Sequence, residues 1–332
     1  MEIMGKDHQK IKHLLYCPVT GLGNFQGFRG NRWLKSRIQI FKQFVISSLQ
    51  AQTNQDFILW FSWRPEEKNN PIVKEFTKYL RSFSNDLKNY PIHTFSGVCF
   101  WDDKYENEVA RERLASALHG SMGELINAIG DCDYVLMTVQ PSDDLYHRKA
   151  VESIQEAFIK FPQFQAIGYV RGYIMNYLTK EVKSYNPTTN PPFYTIKFPR
   201  SDFIDPLKHM KYTSLKRDVD KYKQGITLPS HEYIADCLNY GKIEDRGFLV
   251  GTHFDNISTG FNNPYAGEKM DNLVLKDFGI FDVGPLKVRF SLKRILFHKL
   301  PHRVKRKLRF WAGEKKWVLR PFFSIVYNFL RE

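Results

Sequence analysis

Apolar and polar positions alternate along the first 145 residues in blocks that change period. His13–Thr20 is a short apolar run, read as a first strand. From Trp33 to Gln52, Leu34, Ile38, Phe41, Val45 and Leu49 recur at helical spacing, which predicts an amphipathic helix. Phe57–Trp63 is a second strand, apolar and aromatic. Strand, helix and strand within about 50 residues make a βαβ unit with parallel strands and a right-handed crossover. The alternation continues with a helix over Pro71–Ser84, a strand over Ile92–Phe95, a long helix over Glu106–Ile129 and a strand over Tyr134–Val139. This order predicts an α/β fold with a doubly wound, mostly parallel sheet.

Beyond residue 145 the pattern changes. Ala166–Tyr177 and Glu181–Tyr185 read as a hairpin-like pair of strands. Asn186–Pro192 holds too many prolines for a helix or a central strand. Phe193–Phe198 is a further strand. Ser230 follows Pro229 and is placed to cap a helix running to Leu238. Phe248–His253 is the last strand, before a polar loop from Asp255 to Gly267. The expected organisation is a body over 1–284, with a nucleotide-binding half at about 10–145 and an acceptor half at about 146–284. An appendage follows over 285–332.

Charge separates that appendage from the body. The chain of 332 residues carries +14. Residues 285–332 hold fourteen Lys or Arg against Glu314 and Glu332, so +12 belongs there and +2 to the rest. Trp311, Trp317, Phe310, Phe322 and several Leu and Ile interleave with those cations. Basic, aromatic short helices suit an anionic membrane surface. They also suit packing on the body with a solvated basic face. Nucleic acid is a third reading, which no accompanying nucleic-acid motif supports. No apolar run reaches about 18 residues, so no spanning helix is expected, and Met1–Lys12 does not resemble a signal peptide. The cysteines Cys17, Cys99, Cys132 and Cys237 lack Cys-x-x-Cys spacing and are expected reduced, in a cytosolic protein.

Chemistry is expected just after Tyr134–Val139, where Pro141-Ser142-Asp143-Asp144 follows the strand. Ligands of open α/β sheets sit outside the carboxyl ends of strands. Two carboxylates there offer hard oxygen ligands to Mg²⁺ or Mn²⁺. The alternative is that they cap a helix over Leu145–Phe161. His253, at the end of the last strand, could complete a metal shell or be a hydrogen-bonded structural residue. The glycines between Gly21 and Gly30 match neither the dinucleotide nor the P-loop pattern. Arg29, Arg32 and Arg37 begin the first helix, where arginine can fork onto phosphate or merely face solvent. Glu232 is a candidate general base for an acceptor hydroxyl, and its place in a first helical turn also serves stability.

Arg37-x-x-x-Phe41, Val45-Ile-Ser-Ser-Leu49-x-x-Gln52-Thr53 and Asp56-Phe57 resemble the opening of the rhamnosyltransferase family of bacterial glycosyltransferases. Thr138-Val-Gln-Pro-Ser-Asp-Asp144 stands where that family has Thr-Arg-Leu-Asp-x-Asp-Asp. Pro192-Phe193-Tyr-Thr195 and His253-x-x-Asn256-x-Ser258 resemble later elements, in order. The resemblance spans about residues 13–260. It implies a GT-A fold and transfer of a sugar from a nucleotide-sugar to a glycan or lipid-linked acceptor. The work would be done at the cytoplasmic face of a membrane. It implies donor contacts from Arg37, Ser142, Asp143 and Asp144, and a metal on Asp143, Asp144 and His253. Glu232 or Asp205 would then act as base. Pro141 departs from the family's first acid and Val139 from its Arg. A non-enzymatic binding protein with a degenerate sheet domain is the competing expectation.

Overall fold

A computed structural model describes residues 9–20, 30–82, 91–97, 107–188, 190–213, 234–253, 260–282, 284 and 286. Four strands open the fold: β1 (Ile11–Pro18), β2 (Ile58–Ser62), β3 (Ile92–Thr94) and β4 (Tyr134–Val139). They pair in parallel in the order β3-β2-β1-β4. Between them run α1 (Gly30–Ile40), α2 (Ile46–Gln50), α3 (Pro71–Ser82) and α4 (Asn107–Ile129).

The pleat explains why helices cover both faces. Leu15 and Cys17 of β1, with Leu59 and Phe61 of β2, point to α1, α2 and α3. Leu14, Tyr16, Ile58 and Trp60 alternate with them and pack on Leu118, Met122, Leu125 and Ile129 of α4. Strands buried on both faces need apolar residues on both, as Leu14–Cys17 and Ile58–Phe61 supply. The expected α/β class and the winding of helices on both faces both hold.

The sheet continues through antiparallel partners. These are β5 (Leu145–Tyr146), β6 (Ala166–Asn176), β7 (Val182–Tyr185), β8 (Tyr194–Pro199), β9 (Tyr240–Thr252) and β10 (Ala266–Met270). The path runs β10-β7-β6-β8-β4, with β9 parallel to β6 and antiparallel to β5. The β6–β7 hairpin is as expected. The halves placed on either side of residue 145 share one sheet through β4 and β8.

Four expectations need correction. The single helix over 33–52 is broken by a π-helical turn, Phe41–Val45, between α1 and α2. The helix placed at Leu145–Phe161 is α5 (Ala150–Lys160), because Leu145 and Tyr146 are taken up by pairing with Leu249 and Phe248. The last strand is thirteen residues long instead of six, since its polar amino-terminal part also pairs with β6. Ala266 and Gly267, read as the end of a loop, open an edge strand, Ala266–Met270, on β7.

Three further helices are α6 (Arg200–Ile204), α7 (Pro206–Thr213) and α8 (Ile234–Cys237). Cys17 and Cys132 are free thiols, both buried. Among the described residues no helix is long and apolar enough to cross a membrane. Glu232, Ser230, Asn256, the glycine loop before Gly30 and all but Leu286 of the basic appendage 285–332 lie outside the described residues.

Candidate functional site

Three residues far apart in sequence meet at the carboxyl end of β4. Asp143 sits in the turn after β4, with Ser142 half-buried beside it. Arg37 lies in the last turn of α1, and its Nη1 ion-pairs with Asp143 Oδ2. His253 follows β9, and its Nε2 is 3.1 Å from the same oxygen. The side chains of Arg37 and His253 are 5% and 0% exposed, and that of Asp143 14%. The charges are therefore almost wholly removed from water, where an ion pair persists only with close geometry.

The surroundings fix this cluster. The π-helical turn carries Phe44 onto Tyr177, with rings stacked at 4.2 Å and 10°. Tyr177 in turn lies parallel to the His253 ring, at 6.4 Å and 11°. Tyr177 Oη donates to the Asp143 carbonyl at 2.7 Å, and Tyr177 N–H donates to Thr252 O. Asp144 turns to the backbone instead and accepts the Gly251 N–H at 2.8 Å through Oδ1. A Cβ on Gly251 would collide with the Asp143 carbonyl and the Tyr177 ring, so only glycine permits this approach.

The two carboxyls are pushed in opposite directions. Burial pushes Asp143 upward, but the Arg37 charge and the His253 hydrogen bond outweigh it and bring its pKa down to about 2. Burial, reinforced by the Asp143 charge, pushes Asp144 well above the usual carboxylate range. The shared setting thus drives the two carboxyls apart, Asp143 toward its charged form and Asp144 away from it.

That arrangement does not fit a divalent cation. Asp143 Oδ2 already receives a guanidinium and an imidazole. Asp144 is bonded to backbone, and burial beside the Asp143 charge disfavours its charged form. Among the described residues no group of three or more His, Cys, Asp or Glu side chains is arranged to hold a metal. Asp143 and His253 meet at Arg37, while Asp144, next in sequence, bonds to the Gly251 N–H instead. Arg37 itself lies in the last turn of its helix, not near the start, and is buried among these partners instead of facing solvent.

Capping does not explain Asp143 and Asp144 either. The residue before α5 is Lys149, and neither its side chain nor Asp143 or Asp144 is seen capping that helix. Asp205 does cap: its Oδ1 accepts the N–H groups of Leu207 and Lys208 at the start of α7. It lies six residues after Pro199, which pairs with Tyr134 at the amino end of β4. This is the opposite end of the strand from Asp143, so Asp205 is not a base for this site.

The Ser-Leu-x-x-Gln-Thr stretch has a structural task. Ser48 Oγ donates to Tyr146 O at 2.7 Å. Gln52 Nε2 donates to His147 O at 2.9 Å, and Gln52 Oε1 accepts from Val151 N. Thr53 N–H donates to Arg148 O. Together they clamp α2 to residues 146–151, the segment that follows the acidic pair. Phe44, Tyr177 and Gly251 also build the site, and the sequence pattern does not mark them for it. Phe44 stands three residues after Phe41 and reads as ordinary core, so its place beside the site, within the π-helical turn, has no local signal.

No family model matches the chain, and no curated protein matches it. Among solved structures, that of S. aureus TarS 1–349 shares 10% identity at a TM-score of 0.36, over 96% of this chain and 88% of that one. A structure of S. aureus TarS gives 11% and 0.36, over 96% of this chain and 53% of that one. Likenesses this slight carry no weight for function.

Proposed function

We propose that this chain is a GT-A-type glycosyltransferase, moving a sugar from a nucleotide-sugar to a glycan or lipid-linked acceptor in cell-surface polysaccharide synthesis. One observation carries the reading. A buried Arg37–Asp143–His253 cluster sits outside the carboxyl end of a central parallel strand, where α/β sheets bind ligands. Burial of ionisable groups with perturbed pKa values in such a place is a mark of function. The ordered resemblance over residues 13–260 supports the same class. Rhamnosyl transfer is its finest form, though no residue here selects rhamnose.

In this reading the positive charge of the cluster faces the diphosphate as it leaves, which is electrostatic stabilisation of developing charge. Glu232 is the proposed base for the acceptor hydroxyl. The segment 285–332 is proposed to hold the protein at the cytoplasmic face of an anionic membrane, at about 1 kcal/mol per cation near the surface. No step runs through a metal.

A second reading has its own support. Pro141 stands where the family has an acid, and Asp143 is already paired inside the protein. Both suit a non-enzymatic binding protein with a degenerate sheet domain. A thermal-shift panel of UDP, GDP, dTDP and CDP separates the two. A bound nucleotide at 100 times its dissociation constant adds about 2.7 kcal/mol of stability. A selective rise with one nucleotide supports the transferase. No rise with any, together with vesicle binding that is lost on deleting 285–332, supports the binding protein.

A further inference from the structure

The cluster at the end of β4 is held by internal partners. Asp143 is fixed at both ends. Its carbonyl receives the Tyr177 hydroxyl at 2.7 Å, and its Oδ2 receives both Arg37 and His253. Its neighbour Asp144 gives Oδ1 to the Gly251 N–H, and Gly251 lies so close that no larger residue fits. Arg37 cannot easily leave. It stands on the last turn of α1, and its guanidinium lies 5.3 Å from the centre of the Trp33 ring. Nε of Arg37 is buried with no hydrogen-bond partner among the described residues.

We propose that Arg37 is the resident cation of this site, occupying the place and charge role of a divalent metal, so that the site binds its anionic ligand without one. The argument is geometric and electrostatic. Mg²⁺ demands near-octahedral oxygens at about 2.0–2.1 Å and keeps several waters. Here one carboxylate oxygen is shared by two nitrogen donors, and the other acid is tied to backbone. A second cation on Asp143 would stand against a guanidinium in a nearly dry site, where like charges repel more strongly than in water. Guanidinium, by contrast, is always charged and forks onto carboxylate and phosphate alike. The Nε hydrogen is the kind of donor an incoming phosphate oxygen, or a buried water in its absence, satisfies. Removing Arg37 should convert the site. Asp143 would lose its counter-charge, and Asp143 with His253 would then offer one carboxylate and one imidazole to a metal.

The inference concerns the site on which the transferase reading rests, and its test reads metal separately from nucleotide. Mn²⁺ uptake is followed by loss of the free-ion paramagnetic resonance signal, with full-length wild-type protein and with Arg37→Gln. The wild type should take up no Mn²⁺ at millimolar concentration. Arg37→Gln should gain at least about tenfold in Mn²⁺ affinity, as expected for deleting a neighbouring positive charge. The added change Asp143→Asn should abolish that gain. One equivalent of Mn²⁺ on the wild-type protein overturns the proposal. So does an Arg37→Gln protein that is folded by near-ultraviolet circular dichroism and gains no affinity. If that variant fails to fold, the wild-type titration decides alone, and the nucleotide panel repeated in EDTA gives an independent result. A nucleotide response that EDTA removes overturns the metal-free site and keeps the transferase. A response unchanged by EDTA supports both. No response to any nucleotide removes the transferase reading, while the Mn²⁺ titration still decides this one.

Discussion

Strands β1 to β4 and strands β6 to β9 belong to one sheet, yet they reach burial by different routes. The first set is parallel and sandwiched between helices, and β2, β4 and the buried part of β1 are mostly apolar. The second mixes directions, and β9 runs for thirteen residues with a polar, half-exposed beginning and a fully buried end. Irregular register between β6 and β9 near Arg171 bends that pair. In the first half β2 pairs with β1 and β3, and β1 reaches across the chain to β4, as in Leu14 with Met137. In the second, β6 pairs locally with β7 and also with distant β9, as in Met175 with Gly251. The candidate site lies where the two halves touch: Arg37 comes from the first, His253 from the second, and Asp143 from the turn between them.

The largest effect should come from breaking that junction. Asp143→Ala leaves the Arg37 guanidinium buried without its counter-charge. The expected loss is about 3–5 kcal/mol, as for other buried pairs broken on one side. Urea unfolding measures it. A loss under about 1 kcal/mol would mean that Arg37 turns out to water, and the buried cluster would not be what joins the halves. Donor turnover, if present, should disappear in Asp143→Asn, which keeps the shape.

Next is the clamp from the first half onto the junction. Gln52→Ala leaves the Val151 N–H and the His147 carbonyl without the partner that Gln52 supplies, in a largely buried place. The His147 carbonyl still accepts the Ala150 N–H, so one buried N–H is left unsatisfied and a loss of about 1–3 kcal/mol is expected. The same variant should loosen residues 146–151 ahead of the rest, read as faster amide exchange there.

These two cases show which parts of the molecule were open to reading in the sequence. The strands and helices of the first half were legible because period and burial agree there. The acidic pair was legible because a turn at a strand end is a known ligand position. Its partners were only half legible. Arg37 and His253 could be named as candidates, but nothing in their spacing says that both reach one oxygen. That meeting depends on the π turn at Phe41–Val45 and on the pairing of β5 with β9, and neither has a local signature. Pairing between Leu145 and Leu249 also turned an expected helix start into a strand. The Asp205 assignment failed because the direction of β8 puts that residue at the wrong end of the sheet.

Acid should weaken the first half through its buried histidines. Burial holds His13 of β1 down to about 3 and His93 of β3 down to about 4, against an ordinary 6.5. His209 of α7 is likewise held at about 4. A folded-state pKa below the unfolded one means that the unfolded chain binds more protons between the two. Stability is then complete above about 6.5 and lost as pH falls toward 3. By pH 5, His13 alone removes roughly 2 kcal/mol. His13→Gln should flatten the decline between pH 7 and 5 in urea midpoints. His13 also bonds Thr138 and Gln155, so the variant starts from lower stability. The slope, not the starting value, is the diagnostic quantity.

The smallest effect tests the second half's hold on the site. Tyr177→Phe removes only a hydroxyl, the one that donates to the Asp143 carbonyl. The ring stays, and with it the stack on Phe44 and the contact with His253. A neutral hydrogen bond of this kind contributes about 1 kcal/mol net, so unfolding midpoints should move little. Its influence on the site should exceed its influence on the fold, because the carbonyl it holds belongs to the residue that binds both Arg37 and His253. A variant that keeps its stability within about 1 kcal/mol and weakens nucleotide binding would show that the second half orients Asp143 and does not merely cover it. Equal, small losses in both would assign Tyr177 to packing, and the two halves would then meet at the site through the Arg37 and His253 side chains alone.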